Sequence, residues 1–488
     1  MSTIIFTYSD LLTATSGQWH NLDMNKDSCN INPISSISTD TRTDNNNALF
    51  VALSGVSFDA HNFLKEAIDS GATALCLAKG KYKLENIPSN IPVLEVQDTL
   101  KAYQDIANFH RKYLKKLTLI AITGSNGKTS TKDILSCILS SEFGEESVYT
   151  TKANTNNLIG VPQNILNLTE KHRFAVIELG SNHPEEISQL TKIANPDIAV
   201  ITSIGPSHLE YFKNINGVIK EKTNIFTAYN NPHDGIAIIP SEYSNNNIFL
   251  QKIGDCKTIT FGNVMGLKTV STDISWEHLH SNIENCEFEL RWKTENICKR
   301  VLWTIPGIHQ LSNAAAATAV ATAIGIAPKN ITAALQTCKI SGMRMRINKR
   351  NGITWINDAY NANPNSTKAG IDWLYEILEN AMPNTNKHLY VILGDMLELG
   401  ENAPDLHKEI IEYAINKLPC SQIYGVGAIM HDVVETDFKP VSLNGLKPVS
   451  TFHNSDEAAS FFKNELKLGD IVYLKGSRGI ALEKIEQI

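Results

Sequence analysis

At 488 residues the chain is too long for one ordinary core, which predicts two to four domains. Apolar residues make up 42% and charged residues 19%, a globular balance that excludes a disordered or fibrous chain. The net charge of −7 supplies no broad basic field, so nucleic acid is not an expected partner, although a small anionic substrate held by local amides or cations fits.

Residues 1–10 show no basic stretch followed by an apolar run, so no secretory leader is read there. No segment approaches the roughly 20 apolar residues of a membrane span, and no stable membrane insertion is expected. The eight cysteines are scattered without a CxxC pair, as suits free thiols in a reducing compartment. These features predict a soluble cytoplasmic protein, taken as a monomer.

In chain order, 48–53 reads as a strand, 62–70 as a helix and 72–77 as a second strand. Residues 99–114 form an amphipathic helix with Leu100, Tyr103, Ile106, Ala107 and Phe109 on its apolar face, placed to bridge into the next unit. From residue 117 the texture changes. Apolar runs at 117–123, 174–179, 197–204 and 235–239 read as parallel strands covered on both faces. The stretch 255–302 breaks that rhythm, and its polar strand at 287–293 suggests an antiparallel edge. An alanine-rich helix at 313–324 closes the unit. A third α/β unit follows, with strands at 353–357, 388–393, 422–426 and 470–474. The asparagine patches at 45–47 and 244–247 read as surface turns. The domain boundaries expected are 1–97, 98–338 and 339–488.

The strongest chemical signal is the strand–turn–helix run Thr123-Gly124-Ser125-Asn126-Gly127-Lys128-Thr129-Ser130. Two glycines let successive backbone N–H groups point at phosphate oxygens, and the following helix start adds partial positive charge. Lys128 then reaches the β- and γ-phosphates, and the Thr129 hydroxyl joins a Mg²⁺ shell. Ile122 stands where the usual loop has its first glycine, so the loop is a TGxNGKT variant. A GTP switch would need an [NT]KxD stretch and a dehydrogenase a GxGxxG turn; neither follows in the chain.

The loop TGSNGKTSTKD is similar to that of the Mur ligases, which add residues to the peptide of bacterial cell-wall precursors. The likeness continues through NTNNLIGVP at 154, ELGSNHPEEI at 178, NPDIAVITSIGPSHLEYF at 195 and PGIHQLSNAAAA at 306. It extends to MRM at 343, INDAYNANPNS at 356, LGDMLELGE at 393 and LKGSRG at 474, with STDTR at 38 and LFVALSGVSFDAHNF at 49. The resemblance implies an α/β protein of three domains: an N-terminal UDP-substrate-binding unit, a P-loop central parallel sheet that binds ATP and a Rossmann-like C-terminal unit. It implies amide-bond formation through an acyl phosphate, with ATP and Mg²⁺ as cofactors. The C-terminal motifs and the N-terminal pair point to UDP-N-acetylmuramoyl-tripeptide and D-alanyl-D-alanine as the partners. DNPR, the usual mark of diaminopimelate addition, is absent. Other Mur ligases, a folylpolyglutamate synthetase-like ligase and a non-catalytic nucleotide-binding protein are the alternatives.

Residue roles follow from the same resemblance. Glu178, at the end of a buried strand, and His208, in the next loop, are paired at a second Mg²⁺, with Thr129 as the other metal-shell residue. Taken alone, Glu178 reads as a helix cap or a solvated carboxylate and His208 as a packed or exposed imidazole, since Mg²⁺ prefers oxygen. Lys222 matches a lysine carbamylated by CO₂, although Lys220 lies two positions away and Asn224 replaces an expected glutamate. Asn313 matches an adenine contact and reads equally as the cap of the alanine-rich helix. Arg344 matches an arginine that swings toward the phosphates, and Asp358 an acid near the ribose. The implied catalytic set is Lys128, Glu178, His208, Lys222 and Arg344. Asn156 and Asn157 would face the UDP-sugar, Asp40 and Arg42 the UDP moiety, and Tyr360 and Asn361 the dipeptide or nucleotide. Asp40 paired with Arg42 would equally just shape a turn.

Overall fold

Alternating side chains along the apolar runs divide the centre of the molecule into two cores. Ile120, Ile122, Val176, Val200 and Ile238 pack on one face, while Leu119, Ala121, Ile177, Ile201 and Ile239 pack on the other. Successive strand residues point to opposite faces, so a run apolar at every position must be covered twice. The computed structural model describes residues 5–22, 34–55, 57–228, 235–264, 272–381, 388–418, 421–438 and 449–488.

Three sheets succeed one another along the chain. The first comprises β1 (Gln18–His20), β2 (Ser36–Ser38), β3 (Ala48–Val51), β4 (Ala74–Ala78) and β5 (Val93–Val96), in the order β1-β5-β4-β3-β2. Only β1 runs antiparallel to its neighbour.

The central sheet takes β6 (Thr118–Thr123), β7 (Val148–Thr150), β8 (Phe174–Glu178), β9 (Ile198–Ile201) and β10 (Ile236–Pro240). It continues with β11 (Lys257–Asn263), β12 (Ile274–Ser281), β13 (Cys286–Trp292) and β14 (Ile297–Trp303). Its order is β14-β13-β12-β11-β10-β9-β6-β8-β7. The stretch expected only as an antiparallel edge is in part a continuation of the parallel sheet. Residues 257–263 and 274–276 pair parallel to their neighbours, and the antiparallel hairpin begins at β12–β13. The alternation of Cys286, Phe288, Leu290 and Trp292 explains the hairpin, since one face is buried and the other is half-exposed.

The third sheet takes β15 (Arg346–Arg350), β16 (Ile353–Asn357), β17 (Leu389–Gly394), β18 (Gln422–Val426), β19 (Ser450–Phe452) and β20 (Ile471–Lys475). Its order is β15-β16-β20-β17-β18-β19, with β15 alone antiparallel.

The bridging helix, Thr99–Tyr113, starts where the Asp98 carboxylate accepts from the N–H groups of Leu100 and Lys101. Its polar side chains tie it to the central unit. Gln104 donates to the Leu158 carbonyl at 3.1 Å, and Arg111 donates to Asp197 at 2.7 Å.

The segment expected as a helix at 62–70 begins as a 3-10 turn, Ala60–Phe63, before the α-helix Leu64–Asp69. The alanine-rich helix spans His309–Ile324, one turn longer at its start than expected. Among the described residues six cysteines are free thiols; Cys29 and Cys420 lie outside the described residues. No described helix is long and apolar enough to cross a membrane.

Candidate functional site

The carboxyl end of β6 opens into the phosphate loop, and the helix Lys128–Phe143 begins directly after it. Gly127 sits in the left-handed region at φ 83°, and a Cβ there would stand 2.1 Å from the Asn313 Oδ1. A glycine is needed on both counts. Residues 202–205 clamp the loop from the neighbouring strand end. Ser125 N–H donates to the Ser203 carbonyl at 2.9 Å, Asn126 N–H to Ser203 Oγ at 2.9 Å, and Ser125 Oγ to the Gly205 carbonyl at 2.9 Å. The backbone is thus held in a fixed cradle before any ligand arrives.

A cavity of about 620 Å³ lies over this loop, between the central and third units. Ser125, Asn126, Gly127, Lys128, Thr129 and Ser130 line it, whereas Thr123 and Gly124 stand behind it. The Thr123 hydroxyl is consumed in the sheet, donating to the Leu179 carbonyl at 2.8 Å. Lys128 Nζ folds back onto the Gly124 carbonyl at 2.7 Å. Burial lowers the Lys128 pKa, and Glu178 opposes that shift.

Thr129, Glu178 and Asn156 form a chain of oxygens and amides. Thr129 Oγ1 donates to Glu178 Oε2 at 2.8 Å, and Asn156 Nδ2 donates to Glu178 Oε1 at 2.9 Å. Glu178 does not act as a helix cap. It ends β8 buried against the cavity, its N–H held by Thr151 Oγ1 at 2.9 Å. Asn157 also lines the cavity, but its Oδ1 accepts the N–H groups of Ile159 and Gly160 at the start of the next helix.

His208 lines this side of the cavity, whereas Lys222 is not among the lining residues and reaches it only through Ser181. His208 takes a left-handed backbone (φ 50°) and precedes the short helix Leu209–Phe212. Burial first, then the charges of Lys222, Lys128 and His183, push its imidazole down to about 3, so the ring is neutral. Lys222 is 1% exposed on the helix Ile215–Thr223, while Lys220 points to solvent. The Lys222 Nζ donates to Ser181 Oγ at 2.9 Å. Burial and the neighbouring Lys128 bring its pKa down to about 7. Asn224 turns away from the cavity and accepts from Lys252 at 2.8 Å.

The opposite wall belongs to the third unit. Arg344 Nη2 donates to Thr129 Oγ1 at 3.1 Å, and its guanidinium stacks 3.7 Å above the Tyr360 ring. Asp358 is buried and paired with Lys475 at 2.7 Å; Lys475 also donates to the Asn361 carbonyl at 3.0 Å. Asn363 Nδ2 donates to Asn126 Oδ1 at 2.6 Å, joining the third unit to the phosphate loop. Asn313 is not a helix cap, because the helix starts at His309 and Asn313 sits one turn inside it. Its Nδ2 donates to Gln310 Oε1 at 2.8 Å.

Asp40 and Arg42 are not brought to this cavity. They form a mutual ion pair of 2.7 Å on the first unit, which lowers the Asp40 pKa to about 2.

Lining residues that the reading of single positions missed include His183, Glu398, Lys475 and Arg478. Each lies inside a motif already visible in the sequence, SNHPEEI, LGDMLELGE or LKGSRG, so the motif was the available signal. Among the described residues no cluster of three His, Cys, Asp or Glu side chains is arranged around a metal position.

A family profile for the Mur ligase middle domain matches residues 122–321, and one for the Mur ligase, glutamate ligase domain matches residues 343–478. The chain is 32% identical to the UDP-N-acetylmuramoyl-tripeptide–D-alanyl-D-alanine ligase of Bacillus subtilis, over 93% of this chain and 92% of the relative. A MurF crystal structure from Acinetobacter baumannii superposes with a TM-score of 0.84 at 28% identity, covering 100% of this chain and 99% of that one. The MurF ligase of Thermotoga maritima in complex with ADP shares the fold, with a TM-score of 0.76 at 24% identity over 93% and 96% of the two chains.

Proposed function

The chain belongs to the Mur ligase family, and from that premise we propose that it joins D-alanyl-D-alanine to UDP-N-acetylmuramoyl-tripeptide with ATP, releasing ADP and phosphate. The observation that carries this reading is a single cavity shared by two units. Lys128, Thr129 and Glu178 enter it from the central unit, and Arg344 and Asp358 from the third. In this reading residues 1–97 bind the UDP substrate, 98–338 bind ATP and 339–488 receive the dipeptide, in the cytoplasm of a bacterium.

A peptide carboxylate is a poor acyl donor. Its oxygen attacks the γ-phosphorus of ATP, ADP leaves, and an acyl phosphate forms. The dipeptide amine then attacks the acyl carbon, and phosphate departs from the tetrahedral intermediate. The phosphate-loop amides and Lys128 hold the phosphates, and Arg344 supplies a planar donor for charge that grows during transfer. Asn156 and Asn157 orient the carboxylate-bearing substrate. Asn313 lies where it can meet the nucleotide base, and Asp358 with Lys475 borders the ribose side. Tyr360 holds the Arg344 guanidinium, and Asn361 borders the amine acceptor.

The Thr129 hydroxyl and the Glu178 carboxylate make an oxygen-rich set that suits Mg²⁺, and His208 adds a neutral nitrogen beside it. Bound there, the cation would neutralise phosphate charge and orient the transferred group. Lys222 is the residue for carbamylation. A buried amine with its pKa near 7 retains a neutral fraction able to react with CO₂, and the product anion would offset Lys128.

The test is phosphate release by the purified chain with ATP, Mg²⁺, UDP-N-acetylmuramoyl-tripeptide and D-alanyl-D-alanine. Release that requires both acceptor and donor supports the reading. Release driven instead by a free amino acid, with the dipeptide inert, would overturn it.

A further inference from the structure

Two residues in left-handed backbone conformations face each other across the cleft. His208 (φ 50°) belongs to the central unit and Glu398 (φ 62°) to the third. Neither is glycine, and a non-glycine residue in this region is uncommon enough that the surrounding structure must hold it. The Glu398 loop is held from both sides. The Leu397 N–H donates to Ser477 Oγ at 2.9 Å, the Met396 N–H to His407 Nε2 at 2.8 Å, and the Ser477 N–H to the Asp395 carbonyl at 3.0 Å. The loop then meets the helix Leu209–Phe212 closely: a Cβ at Gly400 would stand 3.3 Å from the Glu210 Cα.

The contact at the tip is polar. Glu398 Oε2 stands 2.5 Å from His208 Nδ1. That nitrogen is buried and has no aligned hydrogen-bond partner among the described residues, so the carboxylate is the polar group poised to take it up. His208 itself lines the cavity, so a carboxylate on Nδ1 bears on how the ring is presented there. Carboxylates that engage one imidazole nitrogen fix the tautomer and orientation of the other.

We propose that Glu398 is a positioning residue that locks the His208 imidazole when the third unit docks, so that the central half of the site is complete only in the docked arrangement. The inference rests on the ligase reading for its kinetic consequence, while the contact itself is a property of the chain. Arg344 and Asn363 also cross the cleft, but they reach Thr129 and the phosphate loop. Glu398 is the crossing residue that addresses His208.

The experiment is a double-mutant cycle in the full chain, Glu398→Gln, His208→Ala and both together, read by steady-state ligation and by amide hydrogen exchange with ADP bound. Glu398→Gln is expected to lower kcat on the order of 10-fold with the KM for ATP within about twofold. It should cost nothing more in the His208→Ala background. Exchange across 203–212 should rise equally in all three variants. Glu398→Asn, which suits the left-handed backbone, should match Glu398→Gln, showing that the loss comes from the carboxylate and not from strain. Independent, multiplicative losses would overturn the proposal, as would unchanged exchange in Glu398→Gln. Should the wild-type chain fail to ligate, the ligase reading falls, and the exchange arm still decides the Glu398–His208 contact.

Discussion

The two walls of the cavity are built differently. The central wall is a backbone cradle whose parts are tied to one another. The phosphate loop is clamped by residues 202–205, and the side chains of Thr129, Glu178 and Asn156 are already linked. The third-unit wall is a set of side chains reaching across a cleft, with Arg344, Asn363 and Glu398 as its bridges. A preformed cradle binds the ground state as well as the transition state. Groups that arrive only with docking act late, and they can be stronger in the transition state than before it. On the proposed ligase reading, the difference predicts that side chains of the third-unit wall act more on turnover than on nucleotide affinity.

The sharpest way to break that division is Lys128→Ala. Lys128 belongs to the cradle, and on the proposed reading it would meet the transferred phosphate, so ligation should fall on the order of 10³-fold or more while thermal unfolding stays cooperative. Normal turnover in a phosphate-release assay would remove the loop from the chemistry.

Arg344→Lys tests the opposite wall. The planar fork lies over Tyr360 and points to Thr129, and lysine reproduces neither feature. The expected loss is on the order of 10²-fold in kcat, with little change in the KM for ATP. A variant with weakened ATP affinity but full kcat would make Arg344 a ground-state anchor and erase the contrast between the walls.

If Lys222 is carbamylated as proposed, Lys222→Ala should lose most activity, about 10-fold, with partial restoration by formate or acetate acting as substitute anions. Its stability also carries a sign. The folded Lys222 pKa lies near 7, below its ordinary 10.5, so folding favours the neutral amine. Lys222's contribution to stability is therefore full above pH 10.5 and falls as the pH drops toward 7. In bicarbonate-free buffer, Lys222→Ala should flatten that part of the melting temperature profile.

Asn363→Ala removes the reciprocal pair of amide hydrogen bonds with Asn126 between the walls, and a twofold to roughly 10-fold loss of kcat would fit the cost of such a contact. Arg42→Ala should be the mildest change. Its partner Asp40 sits near the surface and the pair is screened by solvent, so the midpoint of denaturant melts should stay essentially unchanged. A shift in the KM for the UDP substrate alone would tie this pair to the first unit's ligand.

Much of the central wall is legible in the residues. The run from Ile120 to Thr129 announces strand, turn and helix because apolar continuity, paired glycines and a polar helix start are local properties. The bridging helix 99–114 and four of the six strands of the third unit are legible for the same reason. Short strands such as Gln18–His20, Val148–Thr150 and Ser450–Phe452 leave little local trace. Each is only three residues long and is fixed by its neighbour in the sheet.

The sequence by itself determined the periodicities, the phosphate loop and the motifs that assign the family, all of which follow from residues adjacent in the chain. The tertiary structure alone decided that Lys222 is buried and Lys220 exposed, since both lie on one helix and only packing distinguishes its faces. It also decided that Asn313 sits inside its helix against Gly127 and that Asp358 is paired with Lys475. The meeting of Glu398 with His208, 190 positions apart in the numbering, belongs here too. Such contacts join segments far apart in sequence. Their cost and gain are set by docking, burial and charge, none of which a local pattern of residues encodes.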